Sequence, residues 1–430
     1  LKNLHDMSTI LIKNAIIIDP NSNYKNLKKD ILIVDGIIVN IEKNIKADNA
    51  EIIKSDDLHV CPGLFDFSVD FPEPGNEQKE TLKSGFISSI SGGFTGLGLQ
   101  PSKQTPRDQK TDILFCINSS KGLGLNVIPY GALSKGLNGK QLSEMFDMYT
   151  SGSLAFTDNM EPVVNGGLFS RAILYAKNFN GLIISFPYDQ SISPSGQINE
   201  GIVSTQLGLE GIPELSEEIM LSRDLLINSY HEGRLHFNIL SSKNSVKQLE
   251  KAKKVQKHIS CGTSIFHLLF DDEVLEGFDS RFKILPPLRT KEDRNALLEG
   301  VKNGVIDVIT SYHQPHEEEI NEVEFSLSPF GMIGTQICFP LAITYLSDYL
   351  GLEKIVQCMS INPRTILQCE VPIIKVGHKA DITLFDPAKK WTYNRENNNS
   401  KSENTPLFGS ELKASVLGTI LGRNYHKNIP

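Results

Sequence analysis

The chain has 430 residues, with 43 Lys+Arg against 51 Asp+Glu, a formal net charge of −8, and 40% hydrophobic and 22% charged residues. That composition excludes wholesale disorder, and its mild acidity argues against nucleic-acid or anionic-membrane partners, which select for basic patches. Six scattered cysteines without a CxxC pair, and a start over 1–6 that is not hydrophobic, predict a reducing, cytoplasmic compartment, with Met7 read as the natural initiator. No apolar run reaches about 18 residues, so no membrane span is expected.

The first elements are β-rich. Residues 10–18 alternate apolar and polar, Asp19-Pro20 marks a turn, and 30–34 and 37–41 flank Asp35-Gly36, a hairpin signal. From about Pro62 to Cys369 the rhythm changes. Short β-rich runs at 125–129, 182–185, 234–240, 259–261 and 305–309 alternate with helical stretches at 166–178, 213–232, 245–257 and 291–302. Pro213 followed by acids has the character of a helix N-terminus. Such alternation predicts an α/β fold with a parallel (β/α)8 TIM-type barrel, whose chemistry sits at the C-terminal ends of its strands. Residues 381–385 and 414–421 return to the β-rich texture, and 394–404, polar and Asn-rich, reads as a mobile surface loop. The expected organisation is a small β-sandwich domain built from both ends, 7–61 and 371–426, around a barrel over 62–370.

Several segments carry a family resemblance. Residues 62–75 (Pro-Gly-Leu-Phe-Asp-Phe-Ser-Val-Asp-Phe-Pro-Glu-Pro-Gly) resemble the first barrel strand of the dihydroorotases, zinc amidohydrolases of pyrimidine biosynthesis. The likeness continues through Glu77 to Thr81, 92–95, 199–201, 207–213, Arg223-Asp224, 286–289, Asp307, Pro315-His316, 328–331, Asn362-Pro363, 377–381, 404–406 and 411–413. It therefore spans about 8–425, and it implies the same architecture: a metal-dependent barrel plus a split β domain.

The same resemblance shows where the chemistry departs. The family opens its metal site with His-x-His; those positions are Ser68 and Asp70. Two further ligand histidines fall on Phe186 and Ile239, neither of which offers a lone pair. The general-base Asp falls on Tyr312, a phenol that is a poor base near pH 7. The bridging-acid segment reads Asp158-Asn159-Met160. The carboxylate-binding Arg falls on Pro72, and two recognition Asn positions fall on Ser102 and Leu285. His313, His316 and the backbone near Gly331 remain as a residual pocket. Zinc, expected for the family, is therefore expected to be absent.

Each signal also has a structural reading. Asp70 and Asp158 are strand-end polar residues held by backbone donors, or, with His313 and His316, a rebuilt carboxylate-rich site suited to Mg²⁺ or Mn²⁺. His231 reads as a helix C-terminal histidine, His236 as a satisfied strand residue, and His59 with Cys61 as packing rather than a metal pair. Gly92-Gly93 and Gly122 with Gly124 are turn glycines without phosphate-loop spacing. No Gly-x-Ser-x-Gly elbow is present, and Glu317-Glu-Glu319 reads as a solvated acidic loop.

Three functions follow. The resemblance implies a catalytically silent homologue that acts as a structural or regulatory partner of aspartate carbamoyltransferase, as some metal-free dihydroorotase-like chains do. An active cyclic-amide hydrolase would need the rebuilt metal site. A small-molecule binding module would use the residual pocket without chemistry. Barrels of this class also imply a homo-oligomer, a dimer.

Overall fold

The computed structural model describes residues 9–317, 319 and 323–428; Met7 and Glu318 lie outside the described residues. Two β systems meet at Pro62. In the first, strands Thr9–Ile17, Lys28–Val34, Ile37–Glu42, Glu51–Ile53, His59–Pro62, Asp381–Asp386, Ser415–Leu421 and Asn424–Lys427 form one eight-stranded sheet. The strand His59–Pro62 joins the two chain ends: it runs parallel to Thr9–Ile17 on one side and antiparallel to Asp381–Asp386 on the other. The β-sandwich domain built this way has its own core, including Ile12, Ile17, Ile31, Ile38, Ile382 and Ile420. At the predicted hairpin, Asp35 and Gly36 both adopt positive φ, 51° and 78°, as the turn between right-twisted strands requires. A Cβ on Gly36 would lie 2.4 Å from the carbonyl carbon of Gly422, so the position admits only glycine.

The second system is an eight-stranded parallel barrel: Leu64–Val69, Phe94–Leu99, Asn126–Pro129, Ala155–Phe156, Leu182–Ser185, Arg234–Ile239, Ile259–Ser264 and Val308–Thr310. Neighbouring strands pair in chain order. Parallel bridges Gly131–Phe156 and Val69–His313 complete the ring. Most of these strands are buried along their length and read as continuous apolar runs, as a sheet covered on both faces demands. The predicted helices form at Gly166–Lys177, Leu215–His231, Lys243–Lys253 and Lys291–Asn303. The last is closed by a Thr290–Asp293 capping box and by Gly304 at φ 78°. Among the described residues, no helix is long and apolar enough to cross a membrane.

The segment 394–404 is not a mobile surface loop. Asn394 and Asn397 each accept the other's backbone N–H, at 3.0 and 2.9 Å. Asn399 N–H donates to Gln336, and Asn404 Nδ2 donates to the carbonyls of Gln314 and Gly331 at 2.9 and 3.1 Å. Ser400, Ser402 and Asn404 are buried. The asparagines replace the partners that a strand or helix would supply, so the segment is a strap across the barrel mouth.

The domains are locked by Arg364. Its guanidinium donates to Gly63 O at 2.6 Å, Ser360 O at 3.1 Å and Thr95 Oγ1 at 3.1 Å, and lies 3.4 Å from Asp381 Oδ2. Replacing Arg364 by Met would orphan these buried acceptors. We expect a loss of about 3 kcal/mol, read from the denaturation midpoint; a change below about 0.5 kcal/mol would show that the seam does not depend on the guanidinium.

Candidate functional site

Barrel geometry brings the ends of the strands to one mouth. On the first strand, Ser68 Oγ accepts from Gln100 Nε2 at 3.0 Å and Asn238 Nδ2 at 3.2 Å, so it is tied into an amide network across the barrel. Phe186, Ile239, Leu285 and Tyr312 join Tyr188 and Ile212 in one buried apolar cluster, with Met160 and Phe330 packed against it. Tyr312 sits at φ 51°, a conformation that Asp tolerates more readily than an aromatic residue. Burial drives its phenol further above the ordinary range. The Gln314 side chain beside the hydroxyl offsets this in part.

The polar positions are mostly engaged. Asp158 Oδ1 accepts from Leu133 N at 2.9 Å and Ser134 N at 2.8 Å, and Oδ2 accepts from Ser134 Oγ. Burial pushes its carboxyl up to about 6 despite those bonds. Asn159 Nδ2 donates to Pro101 O at 3.1 Å. Ser102 is bonded within its own turn to Thr105 at 2.8 Å. His316 Nε2 donates to Phe330 O at 2.8 Å, so Nδ1 presents its lone pair to Lys79 Nζ at 3.4 Å. Burial lowers its imidazole to about 4. His313 Nδ1 accepts from the N–H of Gly334 at 3.2 Å and of Thr335 at 3.4 Å, which leaves its proton on Nε2, 3.5 Å from Glu80 Oε2. Gly331, at φ 147°, lies so close to His316 that a Cβ would stand 2.6 Å from Nε2.

Asp70 is different. It is not held by backbone donors: its own N–H donates to His313 O at 2.9 Å, but no hydrogen bond reaches its buried Oδ1. Burial pushes its carboxyl up to about 6 against the attraction of Arg107, Lys79 and His313. Asp70, Pro72, Ser102, Asp158, Asn159, Leu285 and His316 all line one cavity of about 510 Å³, whereas His313 does not. His313 lies behind it, against Phe71 and Glu80.

Elsewhere, His59 packs on Phe385 with ring centroids 5.6 Å apart, and Cys61 is buried in its strand. His231 ends its helix and bonds Ser170 at 2.6 Å. His236 is only half satisfied: Nδ1 meets Ser260 Oγ at 2.8 Å, Nε2 has no partner, and burial lowers its imidazole to about 3.

Three buried charges at the mouth escaped the sequence reading. Glu80 accepts from Ser84 Oγ, Ser400 Oγ and Lys401 N and thereby pins the strap. Burial alone would raise its carboxyl, but His313, Ser400 and Ser84 hold it below the ordinary value. Arg107 donates to Gln100 O and Phe71 O. Lys283 donates to Gln197, Phe325 O and Ser328 O beneath the rings of Phe325 and Phe330. Only Glu80 lay within a segment of family likeness; nothing in the local sequence distinguishes Arg107 or Lys283 from surface cations.

The zinc implied by the resemblance does not fit this donor set. Ser68 is committed to two amides, Phe186 and Ile239 offer carbon, and Asp158, His313 and His316 already hold protein partners. Among these positions Asp70 alone keeps a carboxylate oxygen, Oδ1, without a hydrogen bond, and that oxygen is buried.

A dihydroorotase from Acetivibrio thermocellus is 36% identical over 418 residues, 96% of this chain and 98% of that protein. The chain belongs to the dihydroorotase-like family. A dihydroorotase from Aquifex aeolicus is 37% identical over 417 residues, 96% of this chain and 98% of its own. The family profile described as Dihydro-orotase-like matches residues 58–245. The fold is shared with L-hydantoinase (dihydropyrimidinase) from Arthrobacter aurescens, with TM-score 0.82, 18% identity, and coverage of 97% of this chain and 95% of that one. Dihydropyrimidinase from Brevibacillus agri NCHU1002 aligns with TM-score 0.81 and 17% identity, over 97% of this chain and 94% of its own. This dihydroorotase-like chain thus keeps the family's barrel while its mouth holds an apolar cluster.

Two measurements check the site. Because the folded pKa of Asp70 is raised, its protonated form is favoured by folding; the stability it contributes is present at low pH and is lost as pH rises through about 6. Asp70→Asn is therefore expected to raise Tm by roughly 2 °C or more at pH 7.5, with the gap closing toward pH 4. A pH-independent difference would show that the carboxyl is not burial-destabilised. Glu80→Ala should release the strap and speed tryptic cleavage at Arg395 and Lys401 several-fold without a change in far-ultraviolet circular dichroism. Unchanged cleavage would mean that Glu80 does not hold it.

Proposed function

We propose that this chain is a dihydroorotase-like protein of pyrimidine biosynthesis that turns over no substrate itself and serves as a structural or regulatory partner of aspartate carbamoyltransferase. The observation that carries the reading is the apolar cluster of Phe186, Ile239, Leu285 and Tyr312 at the mouth. Metal ligands cannot be replaced by carbon without loss of the ion, and a phenol whose pKa is raised by burial cannot take the place of a carboxylate base. Pro72 likewise leaves no guanidinium fork for a substrate carboxylate. A barrel that stays fully packed while its mouth abandons coordination chemistry is suited to presenting surfaces rather than to turnover.

The rebuilt-metal reading requires donors that are free. Asp158 and both histidines are engaged, so Asp70 would bind alone, and a single carboxylate is too weak a site for Mg²⁺ or Mn²⁺.

The test uses tag-free protein from zinc-supplemented cells. We expect less than about a tenth of an equivalent of metal per chain by mass spectrometry, no interconversion of dihydroorotate and carbamoyl aspartate, and co-purification with aspartate carbamoyltransferase. One or two metal equivalents together with turnover would overturn the silent reading; a metal-free chain that never associates with aspartate carbamoyltransferase would overturn the partner role.

A further inference from the structure

The helices around the barrel do not all present the same kind of surface. Lys243–Lys253 turns Lys247, Glu250 and Lys251 to solvent, and Lys291–Asn303 turns Glu292, Glu299 and Lys302. The helix Leu215–His231 turns Leu215, Ile219, Leu226 and Tyr230 instead, each between 45% and 84% exposed. At 3.6 residues per turn these four fall within roughly 60° of arc, so they form one stripe along the helix. Val164 and Leu174, also exposed, widen it on one side. Val164 O accepts from Arg223 at 2.8 Å, and Ser170 and Lys177, one turn either side of Leu174, both bond His231. Single exposed apolar residues are ordinary on a protein surface, but a continuous row marks an interface.

The charged neighbours are turned aside. Arg223, at the middle of the stripe, bonds Asp224 Oδ1 at 2.6 Å and Val163 O at 2.9 Å and lies over the ring of Phe169. Glu218 accepts from Asn244 of the next helix at 2.9 Å. The six apolar side chains expose about 450 Å², taking roughly 100 Å² for an aliphatic and about 200 Å² for an aromatic side chain. A two-fold interface of standard size hides about 800 Å² on each partner, roughly 57% of it apolar. The stripe therefore supplies the apolar share of one such interface.

Its spacing names the occupant. The intervals from Leu215 to Ile219 to Leu226 to Tyr230 are four, seven and four residues, the same in both directions about a midpoint between Ser222 and Arg223. Set antiparallel against its own copy, the helix places Leu215 opposite Tyr230 and Ile219 opposite Leu226. The small Ser222 then lies at the axis, where the backbones come closest. A two-fold axis also brings each group on it against its own kind, which an uncharged stripe tolerates and a charged one does not. We propose that this face binds a second copy of the chain, helix Leu215–His231 on helix Leu215–His231, antiparallel about Ser222.

The test is sedimentation velocity and light scattering of the full chain across micromolar concentrations. The wild type is expected at twice the mass of one chain. Ile219→Lys and Leu226→Glu should each raise the dimer Kd about 100-fold or more, because each buries an unpaired charge. Circular dichroism should not change, since both positions are exposed. The variant carrying both substitutions sets each new ammonium against a new carboxylate of the other copy, and its Kd should return to within about tenfold of the wild type. Tyr345→Glu, exposed on the helix Cys338–Leu350, should leave dimerisation unchanged. A monomeric wild type, a dimer that survives both single substitutions, or a doubly substituted chain that stays monomeric would overturn the proposal. A monomeric wild type that loses aspartate carbamoyltransferase on Leu226→Glu would give the face to that enzyme and overturn it too. Neither metal content nor turnover enters these readouts, so the proposal stands or falls apart from the silent-site reading.

Discussion

Closure of the barrel between its first and last strands is the constraint on which the rest depends. Asp66 carries it. Its Oδ1 accepts from Thr310 Oγ1 at 2.6 Å and Ser311 N at 3.0 Å, and its Oδ2 accepts from Thr335 Oγ1 at 3.0 Å. Ser68 N–H reaches Thr310 Oγ1 at 2.9 Å, and Asp70 N–H reaches His313 O at 2.9 Å. A parallel ring has no hairpins to set its register, so a buried carboxylate with three donors supplies it instead. The same bonds bring Asp70, Tyr312 and His313 to one rim, so that whatever residues occupy those positions face one another.

Those residues pack against one another at the mouth. Phe186, Ile239 and Tyr312 bury aromatic and aliphatic surface there, which stabilises the fold. Two features work against that gain. Asp70 remains an unpartnered carboxylate, and Tyr312 keeps a left-handed backbone suited to a smaller polar residue. A mouth optimised for stability alone would have lost both.

The strap shows why part of this was hidden. An Asn-rich run has the same composition whether its amides face water or replace missing backbone partners. The difference lies in Gln336, Glu80 and Gln314, which are 60 or more positions away from most of the asparagines and serines they hold. Lys283 and Arg107 were missed for the same reason. Their acceptors are main-chain carbonyls brought near by the fold, and carbonyls have no sequence signature. Asp70 was misjudged in the opposite direction: a strand-end acid is normally met by backbone donors, as Asp158 is, and only the path of the neighbouring loops decides which acid is served.

Local sequence was enough to read the architecture. Period and turn residues are local, so the Asp35-Gly36 hairpin, the alternating strands and helices and the split β domain were legible. Residue identity at Phe186 and Ile239 rules out lone pairs whatever the surroundings. Long-range packing settled which polar groups are satisfied and that 394–404 crosses the mouth. Hydrogen bonds and burial are properties of pairs distant in the chain, and their energies exist only once the barrel has closed.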